Sequence, residues 1–199
     1  MNEVISTLLS HRSIRAYQDR PVEKDVLDQI LKAVQAAPNW VNLQHVSVIV
    51  VQEKKRREMF AKLSGGQAHI AQAPVFFVFC ADFYRTYLAC KKKGQEFDSV
   101  VSQIDNLIVG VNEVGIALGT AVAAAESFGL GTVPIGDIRL HAREAVKELN
   151  LPKYVVPLLG LCVGYPAENP GIKPRLPKKA VCFDERYEQD LEKAKECLA

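Results

Sequence analysis

Asn106 to Ala125 reads NLIVGVNEVGIALGTAVAAA, the longest apolar stretch in the chain. Its length is that of a membrane span, yet Asn112 and Glu113 sit at its middle and Glu126 closes it, where burial in lipid is costly. The reading is a buried core helix, extended by its neighbours to a single helix over Ser99–Phe128. A helix apolar on nearly all sides must be covered on all of them, by its own core or by a second subunit. Gly110, Gly115 and Gly119 each cost about 1 kcal/mol of helix propensity relative to alanine. Close packing against them, at a dimer axis, offsets that cost; the plainer alternative is that nothing requires them to be larger.

Working outward, Pro74–Ala81 (PVFFVFCA) and Val46–Val51 (VSVIVV) read as buried strands, rich in β-branched and aromatic residues. Thr132–Ile135 is a short strand and Tyr154–Val163 another. Helical spacing of Val22, Val26, Leu27, Ile30, Leu31 and Val34 predicts a helix after Pro21, ended at Ala37-Pro38-Asn39. Shorter helices are expected at Val4–Leu9, from Glu53 up to Gly65-Gly66, and over Leu140–Leu149. Tyr165–Pro177 is extended by its prolines, and Glu185–Leu198 reads as a polar terminal helix. Strands separated by helices give an α+β or α/β sandwich around a four- or five-stranded sheet, in one domain over residues 1–199.

The bulk properties are permissive. Twenty-five basic and 23 acidic residues leave a formal charge of +2 on 199 residues, so bulk electrostatics make no case for nucleic acid. No basic-then-apolar stretch follows Met1, and the five cysteines form no C-x-x-C pair. The expectation is a cytoplasmic protein with reduced thiols, no membrane span and no metal site.

Two short cationic segments stand out against that near-neutral background. His11-Arg12-Ser13-Ile14-Arg15 offers two guanidinium groups, an imidazole and a hydroxyl, a set suited to phosphate. By itself it reads more simply as a solvated basic turn, which explains most such clusters. Gly171-Ile172-Lys173-Pro174-Arg175 holds two cations on one side of an extended segment, and together the two could enclose one phosphate. Gly65-Gly66-Gln67 adds a flexible turn carrying an amide that both donates and accepts. Gly129–Gly136 is glycine-rich but no dinucleotide fingerprint, and neither a Walker A sequence nor a G-x-S-x-G elbow occurs.

These segments resemble the nitroreductase family, specifically the bacterial oxygen-insensitive NADPH nitroreductases and NADPH:flavin oxidoreductases. The matching stretches follow family order from His11 to Pro177. They are His11–Arg15, Leu43-Gln44, Gly65-Gly66-Gln67, Phe79–Phe83, Ala124–Ser127, Gly129-Leu130-Gly131, Ile135-Gly136 and Leu159–Pro170, running through Lys173 and Arg175 into Leu176-Pro177. The resemblance implies a three-layer α+β sandwich on a central mixed sheet of four to five strands, with the long helix buried at a homodimer interface. It implies one non-covalent FMN at each of two interface sites. His11, Arg12, Ser13, Lys173 and Arg175 match contacts to the phosphate and ribityl chain, and Arg15 the ribityl or pyrimidine end. Gln67 matches a residue bonded to the isoalloxazine, and Pro134, Ile135 and Gly136 the backbone beside the ring. Pro38–Asn42, with Asn39 and Trp40, would come from the other subunit.

The implied activity is ping-pong transfer of electrons from NADPH or NADH through FMN to a small acceptor: a nitroaromatic, a quinone or free flavin. The chemistry is the cofactor's, and no side chain is assigned as an essential acid or base. Two readings stand beside it: a non-catalytic flavin or nucleotide-phosphate binding module, and a dehalogenase-like or other FMN enzyme on the same scaffold. The chain departs from the family pattern in three places. Pro38-Asn39-Trp40-Val41 replaces a serine-rich run, so that Trp40 either stacks near the flavin or is a plain interface aromatic. Asp137 replaces a glycine beside the flavin. The NADPH-using flavin reductases continue beyond the position of Ala199, which leaves the choice between NADPH and NADH open.

Overall fold

Residues 75–82 point alternately to two faces, and the fold follows from that alternation. In the computed structural model, which describes residues 1–190, this stretch is strand β2 (Val75–Asp82), buried along its whole length. Val75, Phe77, Phe79 and Ala81 enter one apolar cluster, and Phe76, Val78 and Cys80 enter another. A strand buried on both faces needs a layer on each side.

The helices that provide those layers come in chain order around four strands. They are α1 (Glu3–Leu9), α2 (Lys24–Gln35), β1 (Val46–Val51), α3 (Lys54–Leu63), α4 (Ala68–Gln72), β2, α5 (Tyr84–Lys92), α6 (Asp98–Val101), α7 (Ile104–Ser127), β3 (Gly131–Ile135), α8 (Ala142–Glu148) and β4 (Val155–Gly164). The sheet order is β1-β2-β4-β3. Helices α2 and α7 pack on one face, through Leu27, Ile30, Val114, Ala117 and Ala121. Helices α3, α4 and α8 pack on the other, through Phe60, Ile70 and Ala145. The molecule is an α+β sandwich, as expected. All named strands pair antiparallel; the parallel component of the expected mixed sheet is one bridge, Ser13 to Thr132, on the outer side of β3.

Three expectations change. The helix read over Ser99–Phe128 is two helices, because Gln103 is extended (φ −75°, ψ 133°) and the Ser102 hydroxyl turns back to the Ser99 carbonyl at 3.1 Å. Helices α4 and α5 were not foreseen; α5 is held by tertiary contacts, with Tyr87 packed against Tyr84, Phe97 and Tyr154. The terminal helix does not form over residues 185–190, and the remainder of that expectation lies outside the described residues.

Helix α7 is half covered. Gly110, Glu113, Val114, Ala117, Ala121 and Ala125 form its buried face. A β-carbon on Gly110 would lie 2.6 Å from the Phe83 ring, so this glycine serves close packing within the chain. Positions 115 and 119 meet nothing within 4 Å, and they share the outer face with the exposed Ile104, Leu107, Ile108 and Val111.

Candidate functional site

The edge strand β3 carries the site. Ser13 bridges Thr132 in parallel, and the Ile14 amide donates to the Thr132 carbonyl at 2.9 Å. Ile14 is buried against Gly131, where a β-carbon would lie 2.6 Å from Ile14 Cγ1. The apolar residue at the centre of His11–Arg15 is thus a plug, and its polar neighbours are displayed around it. His11 Nδ1 meets Glu126 Oε1 at 2.7 Å, and the Thr132 hydroxyl donates to the same oxygen at 2.7 Å. The carboxylate accepts from both, which orients the imidazole with its proton on Nδ1.

The second cationic segment begins beside the first. The Arg15 and Ala16 amides donate to Glu168 Oε1 at 2.5 and 3.0 Å. The Ala167 amide donates to the Ala16 carbonyl, and the Gln18 amide to the Tyr165 carbonyl, both at 2.9 Å. Arg12 Nη1 donates to Asn169 Oδ1. Lys173 and Arg175 follow in an extended, exposed run, where, among the described residues, Arg175 Nη1 reaches only the nearby carbonyls of Lys173 and Pro174. The structure therefore joins His11, Arg12, Ser13 and Arg15 to the root of the Lys173–Arg175 segment and leaves those two cations in solvent.

At the other end of β3, Pro134 is exposed, as an edge position allows, and Ile135 is buried. A β-carbon on Gly136 would meet no atom within 4 Å, so open space adjoins the chain there. Gln67 Nε2 donates to the Ser64 carbonyl and to Asp137 Oδ2, both at 2.9 Å. Beside it, His69 Nε2 is buried with no partner among the described residues. Burial, and then the Arg15 charge, hold the His69 pKa below the ordinary histidine value.

Asn39 and Trp40 lie elsewhere. They precede β1, which is three strands from β3, roughly 14 Å at the usual strand spacing. The Trp40 amide donates to Glu113 Oε1 at 3.1 Å and the His45 amide to Glu113 Oε2 at 2.7 Å. Asn39 Oδ1 accepts from the Gln44 amide at 3.2 Å. A cavity of about 630 Å³ opens beside this loop, between α2, β1 and α7, with Leu31, Lys32, Asn39, Val48 and Glu113 among its walls. Pro38 and Asn39 of the expected Pro38–Asn42 segment line it, and the groups along β3 do not.

Sequence reasoning assigned no role to Glu126, Glu168 or His69. Glu168 sits in a stretch that matches the family, but its contact with Arg15 spans 153 positions and has no local signal. Cys80 and Cys162 are core thiols; burial pushes Cys80 up to about 12 and Cys162 higher still.

The sequence profile of the family described as "Nitroreductase family" matches residues 8–165. The chain belongs to the nitroreductase family. This nitroreductase-family chain is 51% identical over 187 residues to the FMN reductase [NAD(P)H] of Bacillus subtilis (strain 168), covering 94% of this chain and 75% of that protein. It is 40% identical to the oxygen-insensitive NADPH nitroreductase of Salmonella typhimurium, covering 94% and 76%. Among solved structures it is similar to B. megaterium NfrA2, with TM-score 0.95 and 43% identity over 98% of this chain and 79% of that one. It is similar also to the NADPH:FMN oxidoreductase of Vibrio harveyi complexed with NAD+, with TM-score 0.88 and 34% identity over 98% and 83%.

Proposed function

We propose that this chain is an FMN-dependent oxidoreductase that takes electrons from NADPH or NADH and reduces small oxidised acceptors such as nitroaromatics, quinones or free flavin. The observation that carries the reading is the polarity of β3: cationic groups at Thr132, open backbone at Gly136 and an amide–carboxylate pair at Asp137. Thr132 to Ile135 alone spans roughly 10 Å, which suits a long ligand with an anion at one end and a hydrogen-bonding ring at the other. The names of relatives, FMN reductase and NADPH nitroreductase, support the same assignment.

When bound, FMN supplies hydride acceptance from the nicotinamide and electron delivery to the acceptor. The chain's own groups bind and orient. Arg12, Ser13, Lys173 and Arg175 hold the phosphate, with His11 aligned by Glu126. Arg15 lends positive charge to the pyrimidine end. Gln67 meets the ring's polar edge, and Pro134, Ile135 and Gly136 line its side. No side chain need act as acid or base.

We infer also a soluble, cytoplasmic homodimer. Helix α7 has the length and composition of a membrane span, but buried Glu113 at its middle holds the 40–45 loop and its inner face packs on the sheet. Its outer face leaves Ile104, Leu107, Ile108, Val111 and Ile116 exposed, with Val4 and Leu8 of α1, the kind of apolar surface that marks an interaction site. A second copy covers it and brings Asn39 and Trp40 to the partner's β3 site.

The test is the visible spectrum of the purified protein, reconstituted with FMN under argon, before and after addition of NADPH or NADH. A bound flavin band that bleaches, in a species sedimenting as a dimer, is expected. Absence of a flavin band after incubation with FMN overturns the reading. A band that persists with both nicotinamides favours a binding module.

A further inference from the structure

Among the described residues, the Gln67 amide is held by its nitrogen alone. Nε2 donates to the Ser64 carbonyl and to Asp137 Oδ2 at 2.9 Å each. A backbone carbonyl and a carboxylate both accept, so rotating the amide would set Oε1 against two acceptor oxygens. The amide orientation therefore follows from its neighbours, and Oε1 is the pole left to a ligand. The backbone brings the two side chains together: β3 ends at Ile135, and Asp137 begins the next helical turn. Gly65, left-handed at φ 74°, turns the chain from α3 toward Gln67, and a β-carbon at Gly65 would lie 3.7 Å from Asp137 Oδ2.

We propose that Asp137 is a positioning residue that locks Gln67 so that its Oε1 accepts the imide N–H of the flavin. The inference rests on the FMN reading above and names what this chain does differently at that site, since Asp137 stands where the family pattern has glycine. The oxidised isoalloxazine has a single N–H donor, the imide at N3, while N1, N5, O2 and O4 accept. A fixed acceptor therefore recognises one edge of the ring. Without Asp137 the amide keeps its bond to the Ser64 carbonyl but loses the second acceptor, so it turns more easily and recognises that edge less sharply.

The experiment compares FMN with N3-methyl-FMN, each titrated by flavin fluorescence into the parent protein, Asp137→Asn and Asp137→Ala. The parent is expected to prefer FMN by about tenfold or more. Asp137→Asn retains an oxygen to accept from Gln67 Nε2 and should keep that preference. In Asp137→Ala the preference should fall several-fold, through weaker FMN binding alone, with N3-methyl-FMN affinity unchanged. That unchanged affinity also shows that the variant is folded. Parent-like preference in Asp137→Ala, loss of preference in Asp137→Asn, or equal weakening of both ligands overturns the inference and leaves the cofactor reading standing. Failure of the parent to bind FMN overturns both.

Discussion

Ile14 is the residue on which the cationic segment turns. It is 4% exposed and fits against β3 only because position 131 lacks a side chain. Gly131→Ala forces Ile14 outward, and overpacking of this kind costs about 1–3 kcal/mol. The expected result is a melting temperature lower by several degrees together with weaker FMN binding, because His11, Arg12 and Ser13 move with the plug. Thermal unfolding and a fluorescence titration check both; a destabilised variant with full FMN affinity would show that Ile14 does not set the site. At this scale the cations were legible, since five consecutive residues carried the signal. Their orienting partners were not, because Glu126 is 115 positions from His11 and Asn169 is 157 from Arg12. Contacts at such separations belong to the fold and leave no periodicity to read.

Helix α7 acts at the scale of the element, joining the sheet face to the loop before β1. Glu113 is 3% exposed and gives one oxygen to the Trp40 amide and the other to the His45 amide. The loop it holds is strained: Val41, Asn42 and Gln44 have φ of 41°, 59° and 53°. Such backbone persists only where its surroundings over-determine it, and most so for a β-branched valine. Glu113→Ala leaves two donors without acceptors, at about 1–3 kcal/mol each, and should release the loop. Trp40 is the single tryptophan, so its emission reports this directly. A red shift and lower anisotropy are expected, and a folded variant with parent-like emission would contradict the buttress role. The sequence placed Glu113 at the centre of the apolar run as an argument against a membrane span. Its bonds to the loop emerged only with α7 packed against β1 and β2.

For the whole molecule, buried histidines set a pH dependence. His45 has its pKa lowered chiefly by burial, which outweighs the pull of Glu113 and Asp82, with Arg85 lowering it further. Its Nε2 lies 3.0 Å from the Thr86 hydroxyl, and its buried Nδ1 has no hydrogen-bond partner among the described residues, the Glu113 carboxylate standing 3.9 Å away. His69 is lowered in the same direction. The folded state holds both rings neutral while the unfolded chain takes up protons near the ordinary value of about 6.5. Their contribution is therefore full above that pH and is lost as pH falls toward the depressed folded values. The melting temperature should fall between pH 7 and pH 5, and His45→Gln should flatten that fall; an equal slope in the variant would remove His45 as a cause. By itself the sequence determined the four strands, the buried character of the stretch that becomes β2, and both cationic segments. These are local patterns of side-chain period and charge, which burial and solvation enforce wherever they occur. The tertiary structure alone decided the break before α7, the stacking that holds α5, the hold of Glu113 on the loop before β1 and the grip of Asp137 on Gln67. Each depends on groups far apart in sequence, whose meeting is fixed by how the layers close over one another.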